Sequence, residues 1–414
     1  MGDRIYGLIG ETLKHSWSVP IHRELGCGSY RLYELAPEEV ADFLASHEIG
    51  GLNVTIPYKK TVIPLCASLD AYAERIGSVN TLVTDSSGGL RGYNTDAAGL
   101  SYIARRAGIR FQGARVLILG TGGTSLTARA VASGEGASSV TVVSRSGPVD
   151  YQNVYGCTDT EIVINATPVG MYPDTGKQAV DLSRFPRLKG VLDVIYNPNR
   201  TALLVQAQQL GIPCSDGLPM LVAQAVEAER IFTGKEIPDA EIERITALLR
   251  RQTTNIVLIG MPGSGKTTVG AALSGMTGRP AIDLDKVIEE QAGMTIPEIF
   301  ETEGEEGFRR RETAAAEEIG KRSGAVIMTG GGIVTRPENY YFLRQNGYLF
   351  QLDRDPDLLP TEGRPLSQNA DLRRMAEQRA PMYAAFRDEL IDNNGTVSGT
   401  AGTIWRKYLE YTRT

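Results

Sequence analysis

Lys266 and Thr267 close the run Gly260-Met261-Pro262-Gly263-Ser264-Gly265, a complete GxxxxGK[ST] spacing that follows the apolar stretch 255–259. In such a loop the backbone N–H groups cradle phosphates, the lysine bridges the β- and γ-phosphates, and the threonine hydroxyl ligates Mg²⁺. Gly263, Ser264, Gly265, Lys266, Thr267 and Thr268 are therefore expected to hold ATP, with Thr267 on the metal. A second turn, Gly120-Thr121-Gly122-Gly123-Thr124-Ser125, follows the apolar stretch 115–119. It suits a dinucleotide pyrophosphate resting on a helix N-terminus, although Ser125 stands where a third glycine is usual. Two phosphate-handling turns of different kinds point to two chemistries in one chain.

The residues that could serve those chemistries fall into two groups. In the first, a strand expected over 140–143 ends in Ser144-Arg145-Ser146. An NAD enzyme carries an acid there for the ribose 2′-hydroxyl, whereas arginine can pair with a 2′-phosphate, so NADP(H) is the expected cofactor. Lys59 directly follows a strand that ends in proline, and Asp96 lies on a short polar loop before a helix. Ketone reduction needs a proton for the developing alkoxide, and a lysine oriented by a carboxylate supplies one. In the second group, Asp283 and Asp285 are two apart on a strand and so point to one side, suiting metal and hydroxyl-substrate binding. Asp285 could instead cap the next helix. Arg309 and Glu312 are one helical turn apart, a spacing that can brace a guanidinium for carboxylate capture. Of the adjacent Arg309, Arg310 and Arg311, at least one must face solvent. Gly330, Gly331 and Gly332 would let a ligand approach the backbone closely.

These residues need two α/β frameworks. Short strands and helices alternate up to about residue 96. A βαβ rhythm of a parallel, doubly wound sheet runs from 116 to 216, helical sequence covers 218–250, and a new βα repeat starts at 255. The expected fold class is α/β throughout: a substrate domain (1–98 plus 217–248), a Rossmann-type NADP domain (99–216), a linker (249–254) and a P-loop kinase domain (255–414).

The N-terminal segments together resemble the shikimate dehydrogenase family. The resemblance rests on Lys14-His15-Ser16-Trp17-Ser18, Asn53-Val54-Thr55-Ile56-Pro57-Tyr58-Lys59, Val79-Asn80-Thr81 and Asn94-Thr95-Asp96. It continues through Asn165 to Met171, Asp193-Val194-Ile195-Tyr196 and Gly217-Leu218-Pro219-Met220 to Gln224. It implies reduction of 3-dehydroshikimate to shikimate, with Lys59 and Asp96 as the proton-handling pair. Ser16, Ser18, Asn80, Asp96 and Gln224 would grip the substrate, with Thr55 and Tyr196 near the cleft. Gly120 to Thr124, Ser144 to Ser146, Gly217 and Met220 would line the cofactor. Arg23, where asparagine is common, and a displaced proline beside Val19 are departures.

From 255 to about 410 the chain resembles shikimate kinase. That implies Asp285 as base toward the acceptor hydroxyl, Asp283 positioning Mg²⁺, and Arg309 and Arg379 on the substrate carboxylate with Glu312 as brace. Gly331 and Gly332 would flank the substrate, and Arg364 would belong to a lid over the phosphates. The lid segment 353–363 looks short, with Arg354 as a candidate for the basic residue beside adenine, which predicts weaker ATP retention.

Bulk properties fit this reading. At 414 residues two or three domains are expected. A net charge of −6 offers no general attraction for nucleic acid or anionic lipid. Cys27, Cys66, Cys157 and Cys214 show no CxxC spacing, so neither a zinc site nor a disulfide framework is expected. With no apolar signal core or span, the expectation is a cytoplasmic enzyme acting on small molecules, monomeric or homodimeric. The alternatives are quinate or gluconate as neighbouring substrates, or a catalytically dead metabolite sensor. The sensor should have lost Lys59, Asp96, Lys266 or Asp285, and all four are present.

Overall fold

The computed structural model describes residues 4–13, 16–355 and 372–413. The chain forms two compact units. One comprises Met1–Val169, Gln178–Tyr196 and Gln206–Thr246; the other comprises Gly170–Lys177, Asn197–Val205 and Ala247–Thr414. Two short excursions of the expected 99–216 region thus group with the second unit.

The first unit contains two sheets. The N-terminal sheet is mixed, in the order Arg31–Glu34, Ile5–Gly10, Ile49–Val54, Thr81–Thr84, Leu90–Tyr93, Ser68–Leu69. Ile49–Val54 is buried along its whole length and runs antiparallel to Thr81–Thr84, with Asn53 opposite Thr81. The next sheet is entirely parallel, in the order Cys214–Ser215, Gly190–Asp193, Ile162–Asn165, Arg115–Leu119, Ser139–Val143. After Arg115 the interior strand Arg115–Leu119 is buried at every position, as a parallel strand covered on both faces should be. The chain then turns at Gly120, whose φ of 99° disfavours a side chain; a Cβ there would also lie 2.8 Å from Thr167 Cγ2. The helix Gly123–Gly134 follows, with Ser125 buried in its first turn, so a small hydroxyl replaces the third glycine without opening the packing.

The second unit is a parallel sheet in the order Ala281–Asp283, Val326–Met328, Asn255–Ile259, Gly347–Asp353, Glu389–Asp392. Alternation along its central strand separates two cores. Val257 and Ile259 join Ile327, Leu349, Phe308 and Ala315 on one face. Ile256 and Leu258 join Val269, Leu273, Phe350, Ile404 and Tyr408 on the other.

The structure corrects three expectations. The stretch 249–254 is not a loose connector: the helix Ala240–Thr253 runs through it, and Thr254 is buried. The helical region from 218 is two helices, because Leu218–Thr233 ends at Gly234 in the left-handed conformation. Asp96 opens the helix Asp96–Arg106 instead of lying on a loop, with only Asn94 and Thr95 between it and the strand Leu90–Tyr93. Among the described residues, no helix is long and apolar enough to cross a membrane.

Candidate active sites

In the first unit a cavity of about 580 Å³ gathers Ser16, Ser18, Thr55, Lys59, Asn80, Asp96, Tyr196 and Gln224 on its wall, with Thr124, Gly217 and Met220. Lys59 Nζ donates to Asp96 Oδ2 at 2.6 Å, and both side chains keep limited solvent access. The sheet places Asn80 beside Asp96: Asn80 precedes one strand, Asp96 follows another, and the two strands are antiparallel neighbours. Asn80 Oδ1 accepts from the Thr95 backbone N–H at 2.8 Å, and Asn80 Nδ2 donates to Thr95 Oγ1 at 3.0 Å. Asn80 therefore braces the backbone immediately before Asp96. Thr95 Oγ1 lies 3.4 Å from Gln224 Oε1, which links this turn to the helix Leu218–Thr233. Tyr30, buried, donates to Asn53 Oδ1 at 2.7 Å, and Asn53 Nδ2 donates to Thr81 Oγ1 at 3.1 Å. Burial pushes the phenol of Tyr196 up, keeping it neutral as a hydrogen-bonding group.

The dinucleotide turn fits its expected ligand. A Cβ built on Gly122 or Gly123 meets nothing within 4 Å, so the helix N-terminus is open to a pyrophosphate. Thr121 lies within this turn. Ser144, Arg145 and Ser146 do not line the cavity, but they follow Ser139–Val143, where Val143 pairs with Leu119. They stand at the same end of the sheet as the turn, with Arg145 exposed.

In the second unit a cavity of about 400 Å³ is lined by Gly263, Gly265, Lys266, Thr267, Thr268, Asp283, Asp285, Arg309, Glu312, Gly331, Gly332 and Arg379. Gly263 and Gly265 have φ of 86° and 91°, the wound loop conformation that turns N–H groups inward. Lys266 Nζ donates to the carbonyls of Gly260 and Met261, at 2.8 and 2.9 Å, and lies along the loop that would carry phosphates. Thr267 Oγ1 donates to Asp283 Oδ2 at 3.1 Å, two hard oxygens of the kind Mg²⁺ takes alongside phosphate and water. Ser264 does not line the cavity; it is buried beneath the loop, with Oγ unpartnered.

Asp283, not Asp285, caps the following helix: its Oδ1 accepts from the Asp285 backbone N–H at 3.1 Å. Asp285 is thereby freed for the cavity. Burial, reinforced by the charge of Asp283, raises its carboxyl above the usual aspartate range despite Lys266 and Arg309 nearby, and Oδ1 is sealed from solvent without a partner. Arg309 donates to Glu312 Oε2 at 2.7 Å, both side chains being buried. Burial also pushes Glu312 up, against the pull of Arg309. Arg310 is exposed and Arg311 pairs with Glu303, so only the first of the three adjacent arginines faces inward. The glycine segment serves close approach: a Cβ on Gly332 would fall 2.1 Å from Arg309 Nη1, and one on Gly330 2.7 Å from Glu312 Oε1. Arg379 Nη1 donates to the Gly331 carbonyl at 3.1 Å. Arg364 and most of the short lid segment lie outside the described residues.

Residues 8–82 match the family model described as shikimate dehydrogenase substrate binding domain, and 217–245 match the shikimate 5'-dehydrogenase C-terminal domain. The shikimate dehydrogenase (NADP(+)) of Geobacter sp. (strain M21) is 36% identical over 276 residues, covering 59% of this chain and 94% of that protein. The chain belongs to the shikimate dehydrogenase family. Residues 262–410 match the shikimate kinase family model, so this dehydrogenase is fused to a shikimate kinase domain. The corresponding dehydrogenase of Methanosarcina acetivorans is 33% identical over 278 residues, covering 59% of this chain and 98% of the relative. Among solved structures, a chorismate mutase/shikimate 5-dehydrogenase fusion protein from Clostridium acetobutylicum aligns with a TM-score of 0.57 at 31% identity. That alignment covers 60% of this chain and 98% of the other. The Listeria monocytogenes shikimate 5-dehydrogenase, in complex with shikimate and NAD, gives a TM-score of 0.54 at 28% identity, covering 58% and 96%. NADP(H) serves the dehydrogenase half, and ATP with Mg²⁺ the kinase half.

Sequence reasoning missed several residues of this dehydrogenase–kinase. Thr95 has no chemical signal of its own in the sequence, yet its backbone N–H and hydroxyl connect Asn80 to Gln224. Tyr30 carried no motif, and its role depends on a hydrogen bond to Asn53, 23 residues away.

Proposed function

We propose that the first unit reduces 3-dehydroshikimate to shikimate and that the second phosphorylates the shikimate 3-hydroxyl. NADPH, when bound, supplies the hydride for the first reaction, and MgATP the phosphoryl group for the second. Lys59 gives a proton to the carbonyl oxygen as it becomes the alcohol, and Asp96 holds the ammonium on that oxygen. Ser16 and Ser18 bind the ring carboxylate; Asn80 and Gln224 hold hydroxyls. In the kinase, Asp285 accepts the proton of the 3-hydroxyl, and its raised pKa gives it the basicity to do so. Arg309 and Arg379 grip the carboxylate, with Glu312 fixing the first of them. Lys266 holds the β- and γ-phosphates, Thr267 and Asp283 the metal, and Arg364 the transferring group.

The observation that carries this reading is the convergence of the 2.6 Å Lys59–Asp96 pair and the serine, asparagine and glutamine groups in one cavity. The phosphate loop in the same chain opens onto a cavity with two arginines for a carboxylate. We read the enzyme as cytoplasmic, monomeric or homodimeric, without nucleic-acid or membrane partners. A coupled assay with 3-dehydroshikimate, NADPH and MgATP tests the proposal. ADP formation should require all three, Lys59→Ala should abolish hydride transfer, and Lys266→Ala only phosphorylation. ADP release independent of 3-dehydroshikimate and NADPH, or faster turnover of quinate than of shikimate, would overturn it.

A further inference from the structure

Asn393 lies outside every motif discussed above, on the loop that follows the edge strand Glu389–Asp392. It is buried, and all its amide groups are committed. Nδ2 donates to the Ser264 carbonyl at 2.6 Å, while Oδ1 accepts from Thr400 Oγ1 at 2.8 Å. Its backbone N–H donates to the Asp353 carbonyl at 2.7 Å, which ties the loop to the strand Gly347–Asp353. The amide orientation is fixed by chemistry: a carbonyl only accepts, so the nitrogen must face Ser264. Thr400, also buried, sits in the first turn of the helix Val397–Tyr411, which packs on the helix Lys266–Thr277.

The effect on the phosphate loop follows from peptide geometry. In a trans peptide the C=O and the following N–H point in opposite directions. Pulling the Ser264 carbonyl toward Asn393 therefore aims the Gly265 N–H away from Asn393, and Gly265 lines the nucleotide cavity. The loop crest is pressed against the amide: a Cβ on Gly265 would lie 2.8 Å from Asn393 Nδ2, at a φ of 91° that itself excludes a side chain. The Ser264 side chain gives the crest no alternative anchor, because its buried Oγ has no hydrogen-bond partner.

We infer that Asn393 is a positioning residue for the kinase, holding the Ser264–Gly265 peptide so that its N–H faces the β-phosphate of the nucleotide. The inference rests on the kinase assignment above. Thr400 acts through Asn393, locking the amide in the one orientation that works.

The experiment compares wild type with Asn393→Ala, Asn393→Asp and Thr400→Val in the full chain. It measures KM for ATP, KM for shikimate, kcat and thermal midpoint, together with equilibrium binding of ADP and adenosine. Asn393→Ala should raise KM for ATP and weaken ADP about 10-fold, consistent with one preorganised hydrogen bond. Adenosine binding and KM for shikimate should stay within about 2-fold of wild type, on the same argument. Asn393→Asp keeps the volume but sets an anionic acceptor against a carbonyl, so it should be worse than alanine. Thr400→Val should show the same pattern more weakly. Equal losses for ADP, adenosine and shikimate with a lowered thermal midpoint would reduce Asn393 to a folding role and overturn the inference. Wild-type ADP affinity in Asn393→Ala or Asn393→Asp would overturn it as well. Absence of ATP-dependent shikimate phosphorylation in the wild type would instead defeat the kinase assignment.

Discussion

Lys59 and Asp96, 37 residues apart in sequence, meet as a 2.6 Å ion pair at the wall of a cavity that also holds Asn80 and Gln224. Neither residue is fully buried, so their attraction adds little stability; in the proposed reaction its value is in aiming a proton donor. Lys59→Ala should lower dehydrogenase kcat by about 10²- to 10⁴-fold, the usual span for a lost acid–base group. Asp96→Asn keeps the volume but loses the charge and should fall between wild type and Lys59→Ala. Kinase turnover assayed with supplied shikimate should be unchanged in both.

Coenzyme choice should depend on Arg145. Removing a guanidinium from a phosphate costs about 1.5–3 kcal/mol, or roughly 10- to 100-fold. Arg145→Ala should therefore raise KM for NADPH by that factor while leaving KM for NADH unchanged. Steady-state rates with the two coenzymes check this, and a parallel loss for both would assign Arg145 to solvent.

Asp285 gives the kinase a pH signature. Its carboxyl sits above the ordinary aspartate range because of burial and Asp283. A base works only when deprotonated, so kinase kcat/KM should fall with acidification through a pKa higher than about 3.9. The stability sign runs the other way. With the folded value raised, the contribution of Asp285 is full below the unfolded pKa and is lost as pH rises through the folded one. Asp285→Asn should thus gain in thermal midpoint relative to wild type between about pH 4 and pH 7, while losing turnover by about 10²-fold or more. Calorimetry at the two pH values tests the first half.

Gly332→Ala probes the carboxylate grip without removing a charged group. Its methyl would collide with the Arg309 guanidinium, which Glu312 prevents from swinging aside. KM for shikimate should rise about 10-fold or more, as expected when one charged hydrogen bond is displaced. ADP affinity should hold, and binding isotherms for each ligand separate the two.

What was legible in the sequence was whatever is local. The phosphate loop and the Arg309–Glu312 spacing are each set within a few residues and reach the cavity; Asp283 and Asp285 reach it too, though not from one strand as expected, since the strand ends at Asp283 and Asp285 lies in the first turn of the next helix. The strands 255–259 and 115–119 were readable as apolar runs because both faces of a parallel sheet are covered. Glu389–Asp392 was not, since an edge strand with two acids among four residues has too little alternation to register. Asn393, Thr95 and Tyr30 escaped for another reason: each acts by bonding a distant backbone or amide group, and nothing in their neighbours records that partner. The helix cap shows the limit even at short range, because either aspartate at 283 or 285 satisfies the capping rule and only the backbone decides.

Asp283 divides its two oxygens, one closing the start of the helix Leu284–Ala292 and the other lying against Thr267, where the proposed reaction would place the metal. Formation of that helix therefore aims the oxygen proposed to face the metal with no separate ordering step. A cation arriving with its nucleotide meets an acid already in place, so little of its binding energy is spent on rearranging the protein.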